Sequence, residues 1–425
     1  MSLFGALNTA VSGLGSQTVA FGDNVANSQT VGFKRVDTAF LDHLTTSSAT
    51  VNEPGSVTAI PEYINTRQGT VTSSDNPLSL AISGQGFFSV SKGSTAANGA
   101  TAFAPESQYT RAGDFQLNKS GYLVNSAGNY LNGWPVNAAG VADPTTLKPI
   151  LVSQATFNPI PTSHVTLSAN LPPAATTAAA VASTASSLVD VYDQQGASHQ
   201  LTVSLAGTGP NTWAMTVTDE NKATIGTAAV SFGADGTLTS LTANGATASA
   251  AGAPATLNLA TNYPATGGGG NQTIALNLGA IGQTSGLTQF AGTAYTPRGI
   301  SQDGVPPGAF SSLSTTSSGG IVANYDNGQS RTIAQVPITT FPAADQLQRQ
   351  DGSAFSATLA SGSPLTQAAG NNGAGAIATQ SVEASNVDIA TEFTKLIVAQ
   401  RAYSANAKIV TTAEDLLQTT IDMKR

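Results

Sequence analysis

No cysteine occurs among the 425 residues, which excludes disulfides, thiolate metal sites and thiol catalysis. A chain without thiols can also cross an oxidising compartment unfolded without cross-linking. Charge is scarce: Asp, Glu, Lys and Arg make up 9% of the chain, against about 25% in an average soluble domain. With 16 Lys and Arg against 24 Asp and Glu, the net charge is −8 and no basic surface is available to neutralise a run of phosphates, so nucleic acid is not expected as a partner. The three histidines, His43, His164 and His199, lie far apart, which leaves carboxylates alone for metal chemistry. No metal or cofactor is expected. The first basic residue is Lys34, so the basic start of a cleavable secretory leader is missing. Residues 1–22 carry no charge, but Ser2, Asn8, Thr9, Ser12, Ser16, Gln17 and Thr18 interrupt them too often for a membrane span, and no membrane insertion is expected.

Catalytic signatures are missing as well. There is no Gly-x-Ser-x-Gly elbow, phosphate-binding loop or His-Glu-x-x-His, and no glycine fingerprint is followed by a suitably spaced acidic residue. The pairs Asp219-Glu220 and Glu414-Asp415 are adjacent in sequence, which does not set two carboxylates across a substrate; they read as solvated turn and helix faces. The chain is not expected to be an enzyme.

What is present is strongly uneven. Residues 151–290 hold one basic residue, Lys222, and five acidic ones, whereas residues 383–425 hold eleven charged residues. The middle is rich in Ala, Thr, Ser and Gly, including Ala174 to Ser187 and Gly267 to Gly270, a composition that suits strands joined by loops. Leu201, Val203 and Leu205 alternate with polar residues, as do Trp213, Met215 and Val217 after Gly209-Pro210, which predicts a hairpin. Val230 and Phe232 lead through Gly233-Ala234-Asp235-Gly236 to Leu238, another turn. Alternation also marks 78–136, with a turn at Asn118 to Gly121, and 321–341, with a turn at Asn327-Gly328.

The two ends have a helical period instead. Phe4, Val11, Thr18 and Val25 are spaced by seven, as are Leu7, Leu14 and Phe21, forming a heptad seam. Ile389, Leu396, Tyr403, Val410 and Leu417 repeat the scheme near the C-terminus, with Phe393, Ala407 and Ile421 on the adjoining track and Gln400 and Glu414 interrupting it. Ser385 or Asn386 is expected to cap this helix. If each seam side chain contributes about 1.5–3 kcal/mol when buried, an isolated helix cannot realise that gain in water, and partner helices from other copies could.

Asp23-Asn24-Val25-Ala26-Asn27-Ser28-Gln29-Thr30-Val31-Gly32-Phe33-Lys34 resembles the N-terminal signature of the bacterial flagellar rod and hook axial proteins. Glu383-Ala384-Ser385-Asn386-Val387-Asp388, followed by Val398-Ala399-Gln400-Arg401-Ala402-Tyr403-Ser404-Ala405-Asn406-Ala407, is similar to that family's C-terminal helix. Leu80 to Phe88 (LAISGQGFF) and Tyr109-Thr110-Arg111-Ala112-Gly113 resemble the inner β domain of its hook and distal rod members. The segments Val191 to Gly196 and Tyr325 to Gln329 resemble hook members rather than the shorter rods.

The resemblance implies a structural subunit of the curved hook that joins rod to filament as a universal joint. It implies a multidomain α+β fold, with N- and C-terminal helices pairing as a coiled coil and two nested, mainly antiparallel β domains inserted between them. On that reading 1–32 with 380–425 form the helical domain, 33–72 a bridging linker, 73–145 with 291–370 an inner β domain, and 146–290 an outer one. Expected partners are many copies of the chain, the distal rod, the hook cap, the hook–filament junction protein and the flagellar type III export apparatus. The expected location is extracellular, in the flagellar hook, after export without a cleaved signal peptide. Asn24, Asn27, Gly32, Phe33, Asn386, Gln400 and Arg401 carry the family signature. Two other readings are a straight distal rod subunit, which the long central insertion disfavours, and a secreted β-rich adhesin or polysaccharide-binding protein, which would not need a seam at both ends.

Overall fold

A computed structural model describes residues 2–47, 52–95, 101–137, 140–152, 156–173, 184–243, 245–263 and 270–423, with backbone alone for 2–12, 14, 42–47, 52–56, 95, 413 and 417. The chain is mostly β, with helix α1 (Ser2–Ala26) near its start and helix α2 (Ile389–Asp422) near its end. It folds as two units: 1–154 with 311–324 and 330–425, and 155–310 with 325–329.

In the first unit, β1 (Val36–Ser47) and β2 (Asn52–Tyr63) form a long antiparallel hairpin, running from the pair Val36 and Tyr63 to the pair Ser47 and Asn52. It occupies much of the stretch expected to be a linker. Three short strands follow that matter for the chain ends: β3 (Val71–Ser73), β4 (Leu80–Ser83) and β5 (Phe87–Thr95). The segment just before α2 returns to them, so that Ala376–Thr379 pairs antiparallel with β4, and Ser381–Glu383 with β3. Leu80, Ala81, Ile82, Phe87, Phe88, Val90, Phe115 and Leu131 are buried, and Phe88 meets Phe115 edge-to-face at 5.7 Å. The expected turn at 118–121 joins Gln116–Leu117 to Leu123–Val124, with Gly121 at φ +83°, where a side chain would be strained.

The second unit is a two-sheet β structure. Six strands from Thr184–Tyr192 to Ala246–Ala248 each pair antiparallel with the next. The expected hairpin is among them, with Val203 opposite Val217 and Leu205 opposite Met215. The second sheet pairs Pro254–Asn262 antiparallel with Asn271–Ala280, which runs parallel to His164–Asn170; mainly antiparallel describes the unit, with these parallel pairings as exceptions. Strict alternation turns every second side chain inward, and Leu201, Val203, Trp213, Met215, Val230, Leu257, Ile274 and Leu276 lie in one core. Residues 174–183 and 264–269, most of the two low-complexity runs, lie outside the described residues.

Candidate functional site

The most unusual chemistry of this charge-poor chain lies where its two ends meet within the first unit. The Glu383 carboxylate is fully buried, with Oε1 2.5 Å from Lys34 Nζ and Oε2 2.8 Å from Arg111 Nη1. Its Oε1 also accepts the Gly69 N–H at 2.8 Å. Lys34 donates further to the Arg67 carbonyl at 2.7 Å, and Arg111 to the carbonyls of Ile82 at 3.2 Å and Gly84 at 2.6 Å. Burial pushes the Lys34 ammonium and the Arg111 guanidinium below their ordinary pKa values, while Glu383 pulls both back. Breaking such a pair leaves an uncompensated charge in low dielectric, so every member is needed. The backbone joins in: the Gly32 N–H donates to the Glu383 carbonyl at 2.7 Å. Gly32 has φ +68°, and a Cβ there would lie 2.3 Å from the Ala112 nitrogen, so that position admits no side chain without movement of backbone.

A second cluster ties the start of α2 to the end of α1. The Asn24 amide acts as a strand partner for Val36, donating to its carbonyl at 2.8 Å and accepting its N–H at 3.0 Å, and it donates to Glu392 Oε2 at 3.1 Å. Glu392, buried in the first turn of α2, also faces Lys395 Nζ at 3.6 Å and Arg35 Nη1 at 3.9 Å. Asp37 receives both cations, Arg35 at 2.9 Å and Lys395 at 2.6 Å. The expected cap of α2 is corrected here: Asp388 caps it, accepting the Thr391 N–H at 2.8 Å. Asn386 is engaged elsewhere, its Oδ1 accepting the Arg35 N–H at 2.7 Å and its amide donating to the carbonyls of Ile64 and Arg67. Ser385 Oγ accepts the Val387 N–H instead.

Most of the signature residues gather at this junction. Besides Asn24, Gly32 and Asn386, Phe33 is buried under the Arg349 guanidinium, 4.6 Å from the ring centroid, and Asn27 donates back to the Asp23 carbonyl at 2.9 Å. Gln400 and Arg401 do not join it and stand exposed on α2. Among the seam residues, Phe21 is buried and Val25, Leu396 and Val410 are half-buried, while Ile389, Phe393, Tyr403 and Ile421 are exposed. Phe4, Leu7, Val11 and Leu14 lie within α1 and Leu417 within α2, but their side chains fall outside the described residues. The sequence reading missed Glu383, Glu392, Arg111, Asp37 and Lys395 as site residues. The available signal was scarcity, because a charged residue beside a buried apolar stretch in such a chain needs a partner.

Residues 81–170 match the family model for the flagellar hook protein FlgE/F/G D1 domain, 161–305 that for the flagellar basal body protein FlaE D2 domain, and 378–423 that for the flagellar basal body rod FlgEFG protein C-terminal region. The chain is 32% identical over 432 residues to the flagellar hook protein FlgE of Brucella abortus biovar 1 (strain 9-941), with all of both chains covered. It is 30% identical over 437 residues to the flagellar hook protein FlgE of Escherichia coli (strain K12), covering 99% of this chain and 100% of that one. Among solved structures, the Helicobacter pylori flagellar hook protein FlgE2 is similar with a TM-score of 0.48 and 15% identity, over 73% of this chain and 100% of that one. With full-length matches of this kind, the chain belongs to the flagellar hook protein family.

Proposed function

We propose that this hook subunit polymerises through its terminal helices into a curved, flexible tube that transmits torque from rod to filament. One observation carries the reading: the start of α2 is pinned by buried polar contacts, while Phe393, Tyr403 and Ile421, which follow one seam of the helix, are half or more exposed. An apolar face left uncovered on a helix so firmly anchored at one end is suited to burial against other copies. The terminal helices would pair as a coiled coil lining the tube, with 73–145 and 291–370 at a larger radius and 146–290 outermost. A charge-poor outer layer suits contacts that slide as the tube bends, since strong ion pairs would favour one register. Distal rod, hook cap and hook–filament junction protein would meet the ends of the polymer, and the flagellar type III apparatus would deliver the subunits.

A chain ending at Arg401 keeps the whole junction and removes most of the exposed face. It is expected to unfold at the same urea concentration as the full chain, yet to form no tubes in negative-stain micrographs under conditions where the full chain does. Ordinary tubes from the shortened chain would overturn the role given to α2. Straight tubes from the full chain would point to a rod.

A further inference from the structure

Five asparagines precede glycine in this chain, at 98, 132, 244, 327 and 372, the pairing most prone to spontaneous loss of the side-chain amide because glycine leaves the attacking nitrogen unhindered. The fold treats the three described pairs very differently. Asn132 is buried, its Oδ1 accepting from Ser91 Oγ at 3.0 Å and its Nδ2 donating to Ser89 Oγ at 3.2 Å. Asn327 is held at both ends of its amide, Nδ2 donating to the Pro306 carbonyl at 2.8 Å and Oδ1 accepting the Gln329 N–H at 3.0 Å. Asn372 is exposed, its side-chain amide makes no hydrogen bond among the described residues, and its backbone is in the left-handed region at φ +45°. Gly373 is exposed beside it, with open space around its Cα.

We infer that Asn372-Gly373 is a self-modification site of the folded subunit, at which the asparagine ages to an aspartate or isoaspartate. The Gly373 nitrogen attacks Asn372 Cγ, a C–N bond forms as the Cγ–Nδ2 bond breaks, and ammonia leaves, giving a cyclic imide. Water then opens the ring at either carbonyl. The sum is asparagine plus water to an acidic residue plus ammonia, with no oxidation. Each event adds one negative charge and, for the isoaspartate product, one extra backbone carbon.

The turn that would receive this atom is tightly built. The Gly370 N–H donates to the Gly375 carbonyl at 2.9 Å, the Ala374 N–H to the Asn371 carbonyl at 2.8 Å, and the Gly375 N–H to the Gln85 carbonyl at 2.8 Å. Directly after it, Ala376 pairs with Ser83 at the edge of β4, one residue from the Gly84 carbonyl that holds Arg111. An inserted backbone atom at 372 therefore loosens the register that supports the buried ion pairs, and the polymer would carry a slow clock beside its most demanding contacts.

The test incubates the full-length chain for weeks at pH 8 and 37 °C, then maps peptides by mass spectrometry and labels isoaspartate with an isoaspartyl methyltransferase. Deamidation at Asn372 at least tenfold faster than at Asn132 and Asn327 is expected, together with faster hydrogen exchange at 376–379 in the aged protein. Asn372→Gly, made together with Asn371→Gln so that no new Asn-Gly pair arises, removes the amide while suiting the positive φ, and is expected to abolish both the label at that peptide and the change in exchange. Equal rates at the three positions, or an unmodified Asn372 peptide, would overturn the inference. So would an Asn371→Gln/Asn372→Gly chain that loses protection at 376–379 on ageing as the natural chain does.

Discussion

The two units of this molecule are held together by opposite means. The second relies on area: Leu, Val, Ile, Met and Trp side chains from two sheets fill one core, and its one buried charged side chain among the described residues, Asp193, accepts the Gln195 and Ala197 N–H groups of its own turn. The first also has an apolar core, but its chain ends are joined by Glu383, Lys34, Arg111 and Glu392, all buried, and by an asparagine that substitutes for a strand. Apolar burial is non-directional and tolerates exchange of similar shapes. Paired buried charge is directional and fails when one partner goes. A chain that must bring residues near its two ends into one register gains more from the second kind of contact, because only complementary groups satisfy it.

The sharpest way to break this comparison is Glu383→Ala. It leaves Lys34 and Arg111 buried without their anion and is expected to cost about 3–5 kcal/mol in the first unit. The two tryptophans allow each unit to be followed alone, since Trp134 lies in the first and Trp213 in the second. In a Trp213→Phe background, the urea midpoint read from Trp134 should fall steeply; in a Trp134→Phe background, the midpoint read from Trp213 should hardly move. The triple change Lys34→Met, Arg111→Leu and Glu383→Leu should cost less than Glu383→Ala alone, because no charge is stranded. Next in size is Gly32→Ala. The left-handed backbone and the Ala112 nitrogen 2.3 Å from the new Cβ are expected to cost about 2 kcal/mol or more by the same Trp134 measurement.

Much of the second unit could be read from residue order, because a two-residue alternation states which side chains face inward and glycine-bearing turns state where the strands reverse. Val203 and Val217 had to meet once the Gly209-Pro210 turn was recognised, and they do. The junction was legible only as a set of names. Asn24, Gly32, Phe33 and Asn386 stand out as a signature, but Glu392 lies 368 residues from its partner Asn24, and no local period predicts so distant a contact. The helical period of α2 ranked apolar residues and passed over Glu392, yet Glu392, Leu396 and Ala399 form the covered face of its first turns. Asn386 looked like a helix cap by residue type. Three backbone groups elsewhere compete for it, and Asp388 takes the cap.

Smaller effects are expected where burial is undirected or contacts are wet. Leu257→Met, at a fully buried position of the second unit, keeps volume and should cost under about 1.5 kcal/mol by the Trp213 midpoint, whereas a loss as large as that of Glu383→Ala would erase the contrast between the units. The smallest lies at the exposed end of the strand His164–Asn170, where Asp303 accepts hydrogen bonds from Ser163 Oγ and from the N–H groups of Ser163 and His164. Burial alone would raise this carboxyl, but those donors outweigh it and bring its pKa to about 2. A carboxyl of the unfolded chain titrates near about 3.9. The stabilisation is therefore complete above that pH and is lost as pH falls through about 2, the range in which the unfolded chain binds the proton and the folded chain does not. Because the site is half-exposed, water and salt screen the gain and keep it small. The difference in Trp213 midpoint between the natural chain and Asp303→Asn should be constant from pH 8 to pH 5 and shrink towards pH 2. A difference that grows on acidification would show that the carboxylate is not what the three donors hold.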